Sequence, residues 1–83
     1  MSASVTFSAH AEAMMAERAI ERDWVVRTIL DPEQHEVDPT YPDRLRAFRA
    51  LPERDGRVLR VVYVLTEGGL RIITVFLDRG RQR

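Results

Sequence analysis

Two histidines, His10 and His35, and thirteen basic residues, all of them arginine, supply the side chains able to move a proton or grip an anion. His10 stands in the stretch FSAHAEAMMAER, among residues that favour helix. Ser8 is a good N-cap, which puts His10 in the first helical turn, with Glu12 where the dipole favours an anion. The same dipole disfavours an imidazolium, so His10 is expected neutral and fit to act as a base. His35 reads as a residue of a surface strand. The arginines are unevenly placed. Residues 1–43 carry nine acids and three Arg, a net −6, while residues 44–83 carry ten Arg and four acids, a net +6. GC-rich coding accounts for arginine in place of lysine but not for this crowding. A guanidinium grips phosphate through two parallel hydrogen bonds, so the basic half suits nucleic acid. It suits an acidic partner protein equally well. Asp43, Glu53 and Asp55 are the nearby acids expected to pair with Arg44 to Arg60.

Several classes are excluded. With no cysteine there is no disulfide framework, thiol chemistry or Cys-bound zinc. Two histidines and scattered carboxylates give no metal-ligand spacing, so no metal and no other cofactor is expected. The apolar runs are too short to span a membrane, and no secretory leader opens the chain, so a cytoplasmic protein is expected. The length fits one domain, residues 1–83. A domain of this size buries only roughly 60% of its unfolded surface, which leaves a thin stability margin.

These residues must be positioned by a few short elements. Val5-Thr6-Phe7 is a short strand or extended entry. Ala11, Met14, Met15 and Arg18 follow helical spacing, giving a helix from Ala9 to Ala19 that buries the Met pair. A second helix starts near Arg22 or Asp23, turns Trp24, Val25, Val26, Ile29 and Leu30 inward, and stops at Asp31-Pro32. Gln34 to Asp38 suits a short edge strand, and DPTYPD an exposed loop. RLRAFRALP suggests a strand stopped by Pro52. VLRVVYVLT and LRIITVFLD form a hairpin through Glu67-Gly68-Gly69. RGRQR is expected to fray. The class is α+β, with two N-terminal helices on one face of a three- to four-stranded antiparallel sheet. With an even-length loop, Leu59, Val61, Tyr63, Leu65, Ile72, Thr74 and Phe76 share one face. Val58, Arg60, Val62, Val64, Arg71, Ile73, Val75 and Leu77 share the other. Two helices cover only one of these, so the second is left open or meets a partner, a second copy forming a homodimer among them. Tyr63 is expected in the core with its hydroxyl at an edge.

FSAHAEAMMAERAIERDWVVRTILDPE, with GRVLRVVYV and RIITVFLDR, resembles a family of small bacterial domains of unknown function. Their opening runs close to F-S-x-H-A-x-x-R-M-x-E-R-G-I, before a helix ending in N-P-E or D-P-E. The likeness extends from about Val5 to Arg79. Phe7, Ser8, His10, Ala11, Met15, Glu17, Arg18 and Ile20 match the opening. Met14 stands in place of the family's Arg, and Ala19 in place of its Gly. The second change costs a flexible joint and lengthens the helix. The first removes a cation one turn from His10, for which Arg46, Arg49 and Arg60 are the available replacements. That family is grouped with the RelE/ParE-like toxins, small α+β folds that include metal-free ribonucleases, and the second half is also similar to the BrnT-type toxins.

The resemblance implies RNA cleavage or binding, on the ribosome, under control of a cognate antitoxin protein. Cleavage without metal needs a base for the 2′-hydroxyl, cations for the phosphorane charge and an acid for the leaving oxygen. On this reading His10 is the base, Arg46 and Arg60 clamp phosphate, and Thr74 or Tyr63 positions the hydroxyl. Arg18, Arg44 and Arg49 bind the RNA backbone. The parity above sets Thr74 and Tyr63 on the face opposite Arg60, which conflicts with a single cleft. The neutral chain and Met14 support the alternative, a non-catalytic protein-interaction module on a degenerate toxin fold, since ribonuclease toxins that grip phosphate are usually strongly basic.

Overall fold

The β-branched and aromatic residues of the second half form the sheet on which the helices lie. The computed structural model describes the backbone of residues 4–82 and the side chains of residues 4–78. In chain order these are β1 (Ser4–Phe7), α1 (Ala9–Arg18), α2 (Arg22–Leu30), β2 (Gln34–Val37), β3 (Arg44–Leu51), a 3-10 turn at Pro52–Arg54, β4 (Arg57–Thr66) and β5 (Gly69–Gln82). The sheet has five strands in the order β1-β5-β4-β3-β2. β2 to β5 form an antiparallel meander, and β1 lies parallel to β5. The α+β class therefore holds, but the sheet is mixed and larger than expected. Val5-Thr6-Phe7 is a full edge strand, beside β5. Gly69 permits this, because a Cβ there would collide with the Ser4 carbonyl. β5 continues to Gln82, taking in most of the stretch expected to fray; Arg83 lies outside the described residues.

Ser8 starts α1 as its type dictates. Its backbone is extended, and the Ala11 N–H donates to its Oγ at 3.0 Å. The hydroxyl in turn donates to the Ile73 carbonyl at 2.9 Å, while the Ser8 N–H donates to the Ile72 carbonyl at 2.9 Å. One residue thus caps the helix and fastens it to β5. α1 ends at Arg18, one residue earlier than its periodicity suggests. Ala19 adopts the left-handed conformation, φ 55° and ψ 44°, and the Ile20 N–H closes on the Met15 carbonyl. Alanine at this position does not lengthen the helix. The sharp joint persists, at a steric cost that glycine would not incur.

The two helices share one face of the sheet. Ala11 and Met15 of α1, Ile20 of the joint and Val25 of α2 cluster with Ala47, Leu51, Leu59, Val61, Tyr63, Ile72, Val75 and Leu77. Met14 and Trp24 pack against this core while remaining partly exposed. The parity of the hairpin departs from expectation on β5. Tyr63 pairs with Ile72 but Val62 pairs with Thr74, so Ile73 is an extra residue in a β-bulge. Beyond it the β5 side chains from Thr74 to Leu77 change sides. Val75 and Leu77 join the helix-covered face, while Thr74 and Phe76 move to the open face with Arg60 and Val62. The carbonyl of bulge residue Ile73 is the one that accepts the Ser8 hydroxyl.

Ala19→Gly is expected to stabilise the fold by about 0.5–1 kcal/mol, by relieving the left-handed strain. Ser8→Ala is expected to destabilise it by about 1–2 kcal/mol, through loss of the cap and of the tie to β5. Urea denaturation midpoints at constant m-value check both; an Ala19→Gly midpoint below wild type refutes the assignment of strain.

Candidate functional site

The open face gathers arginines in register. Arg46 lies opposite Val62, which lies opposite Thr74; Arg60 lies between Phe48 and Phe76; Arg44 lies opposite Val64, which lies opposite Arg71. Among the described residues no helix covers this side, yet Phe48, Val58 and Val62 are buried. Arg44, Arg46 and Arg60 on this face are themselves half-buried. The Arg60 guanidinium sits 4.0 Å from the centre of the Phe76 ring, and that of Arg44 sits 4.2 Å from the Tyr41 ring.

Carboxylates lie against two of these arginines, Arg46 and Arg60. Arg46 donates through Nη1 to Glu36 at 3.1 Å and through Nε to Asp38 at 3.2 Å. Asp38 opens the loop after β2 as an Asx turn, accepting from the Thr40 and Tyr41 N–H groups at 2.8 and 3.0 Å. Those backbone bonds, from Tyr41 first and then Thr40, hold its carboxyl below the usual range, and Arg46 adds to the effect. Arg60 Nη1 lies 3.9 Å from Asp78. The middle of the face thus pairs Arg46 and Arg60 with acids beside the buried Phe48, Val58 and Val62.

The residues singled out in the sequence fall into two groups. Arg44, Arg46, Arg60 and Thr74 come together on the open face, which removes the conflict over Thr74. Tyr63 stays on the helix side, in the core as expected. His10 also lies on the helix side, exposed in the first turn of α1, with the sheet between it and Arg60. Arg49 is on that side too, donating to the Asp31 carbonyl at 2.8 Å and pairing with its carboxylate at 3.3 Å. Arg18 is exposed at the end of α1, where its carbonyl accepts from Arg54. Met14, in the place of the family's Arg, packs against the core.

The charge partners differ from those expected. Glu53 pairs not with the Arg44–Arg60 group but with Arg27 of α2, at 2.7 and 2.9 Å in a two-bond fork. The acids on Arg46 and Arg49 come instead from residues 31–38, across the β2–β3 ladder or beside it. Sequence reasoning also missed the bond between the Tyr63 hydroxyl and His35 Nε2, at 2.6 Å. The ladder would have shown it: His35 faces Ala47, whose small side chain leaves room for Tyr63 to reach across β3. Burial pushes the Tyr63 hydroxyl pKa up. Among the described residues no group of three or more His, Asp or Glu is placed to hold a metal ion, and no helix is long and apolar enough to cross a membrane.

A family model described as a domain of unknown function, DUF4258, matches residues 7–77, from the end of β1 to Leu77 in β5. The chain belongs to the DUF4258 family. Comparison of this DUF4258 domain with curated proteins and with solved structures found no match. The match takes in both helices, the bulge and every open-face arginine named above.

Arg27 lowers the Glu53 pKa from an ordinary 4.5 to about 2. A depressed carboxylate adds stability above its unfolded pKa and loses it as pH falls through the folded value. The DUF4258 domain is therefore expected to lose stability as pH drops from about 4.5 to about 2. Glu53→Gln should flatten part of that loss, read as thermal midpoint against pH. An unchanged slope would mean that the pair is not formed in solution.

Proposed function

We propose that this domain is a relative of the RelE/ParE-type toxins that engages RNA on the open face of its sheet, as a metal-free endoribonuclease or RNA-binding domain held in check by an antitoxin. The observation that carries the reading is the bulge at Ile73, which sets Thr74 across Val62 from Arg46 and on the same face as Arg60. Two helices on one face and an arginine-bearing strand meander on the other also agree with the RelE-like resemblance. On this face Arg46 and Arg60 clamp the phosphate and Thr74 orients the ribose. Glu36, beside Arg46, takes the proton of the 2′-hydroxyl. The 2′-oxygen then attacks phosphorus, and the 5′-oxygen leaves with a proton from solvent, giving a 2′,3′-cyclic phosphate. His10, beyond the sheet, has no part in this scheme.

A second reading, the non-catalytic interaction module, is supported by the carboxylates already bound to Arg46. A phosphate must displace Glu36 and Asp38, whereas a protein surface of alternating charge needs only to interleave with them.

The deciding measurement is cleavage of a labelled single-stranded RNA by purified protein, paired with growth after induced expression. Wild type is expected to cut RNA and arrest growth. Arg60→Ala should lower cleavage about 100-fold or more, as loss of a phosphate clamp does. His10→Ala should stay within about threefold of wild type, the rough span of an exposed substitution away from the reacting atoms. If wild type neither cuts nor binds RNA at low salt, the second reading replaces the first. If His10→Ala alone abolishes cleavage, the open face is the wrong site.

A further inference from the structure

β2 is the outer strand of the meander, with β3 on one side and no strand on the other among the described residues. The Asp38 N–H donates to the carbonyl of its direct partner Arg44, which fixes the hydrogen-bonding alternation along the ladder. Gln34, Glu36 and Asp38 therefore turn their backbone groups toward β3. His35 and Val37 turn theirs outward, forming two rungs of an unextended ladder. The His35 ring is drawn inward by Tyr63, which leaves its outward backbone uncovered by its own side chain. The Val37 side chain is 57% exposed, opposite half-buried Leu45.

Edges of this kind are usually guarded by lysine, proline or a bulge. Here Pro32 precedes the strand and Pro39 follows it, but the strand carries no arginine or lysine. Residues 31–43 hold five acids, Asp31, Glu33, Glu36, Asp38 and Asp43, and no Arg. Arg46 and Arg49 compensate part of this charge from the inner side, and the Asp31 side chain remains 79% exposed. A second copy of the strand would bring acid against acid. A basic strand would not.

We propose that the β2 edge is a docking site for an extended basic segment of a partner protein, added to the sheet as a sixth strand. β3 shows the pattern such a segment needs, since it already pairs with β2 on the inner side. Arg46 lies opposite Glu36 on the open face, and Leu45 lies opposite Val37 on the helix face. The occupant has arginine or lysine where it faces Glu36 and apolar residues where it faces His35 and Val37. Main-chain bonds supply affinity and the alternation supplies selectivity. The edge shares Glu36 with the open-face RNA reading, but its test, peptide binding and protection of the His35 and Val37 amides, does not depend on RNA cleavage.

The probe is a synthetic peptide with the β3 sequence RLRAFRA, acetylated and amidated, with ELEAFEA as its charge-reversed control. Binding is followed by amide NMR shifts and hydrogen exchange on the full chain. The basic peptide is expected to slow exchange of the His35 and Val37 amides at least about tenfold and to bind about tenfold more tightly than the acidic control. Val37→Pro removes an outward N–H without touching the inner ladder, and should abolish binding in a protein of unchanged fold. Because the amide readout uses wild type, the proposal remains testable even if that variant misfolds. Binding without protection of these two amides, or equal binding of both peptides, would overturn it. So would a concentration-dependent dimer that protects the same amides with no gain from peptide, which would assign the edge to a second copy.

Discussion

A single hydroxyl couples the helical layer to the sheet. Ser8 accepts from the first turn of α1 and donates to the carbonyl of Ile73, the bulge residue of β5. A bulge leaves a backbone group outside the ladder, and such a group, half-buried beside a core, must find a partner. Ser8 is that partner. The bulge is thereby kept in place, and with it the side to which Thr74, Val75, Phe76 and Leu77 point. Val75 and Leu77 reach the core, and Thr74 reaches the arginines, because one extra residue is held at position 73. The helix cap and the composition of the open face are a single constraint seen from two ends.

The uneven charge of the chain has a structural cause in the same sheet. β2 and its flanks are acidic, β3 is rich in arginine, and the antiparallel ladder sets Glu36 opposite Arg46. Arg49 reaches Asp31, and Arg27 of α2 reaches Glu53 beyond β3. A chain with a −6 half and a +6 half is one whose halves meet. These exposed and half-exposed pairs add little stability one by one. Their stronger effect is on register, because slipping β2 by two residues would keep its faces and misplace its charges.

Much of the fold was legible in the chain. The two helices, the β4–β5 hairpin and the edge strand at Gln34 followed from period, caps and prolines, since those signals are local. The parity of β5 was not. Nothing in LRIITVFLD marks Ile73 as supernumerary: alternation counted from either end is self-consistent, and only pairing with Val62 and Tyr63 reveals the extra residue. The parallel placement of β1 was equally hidden, because it rests on the missing Cβ of Gly69, distant in sequence. In the candidate site, Arg46 and Arg60 could be grouped from strand alternation, whereas their partners Glu36, Asp38 and Asp78 depend on which strands adjoin. The end of α1 was misjudged because alanine favours helix, and here the packing of Ile20 overrides it by forcing Ala19 into the left-handed region.

The parallel pairing of β1 with β5 joins the first described strand to the start of the last, Ser4 against Gly69. During synthesis the first strand leaves the ribosome well before its neighbour exists. At about 5–20 residues per second it waits several seconds for closure. Helix α1 is held in the same suspense, since the carbonyl that anchors its cap belongs to Ile73. Contacts of such long range slow the search for the native state. The sheet therefore closes last along the β1–β5 seam, and a nascent chain interrupted before that strand has neither an anchored helix nor an assembled open face.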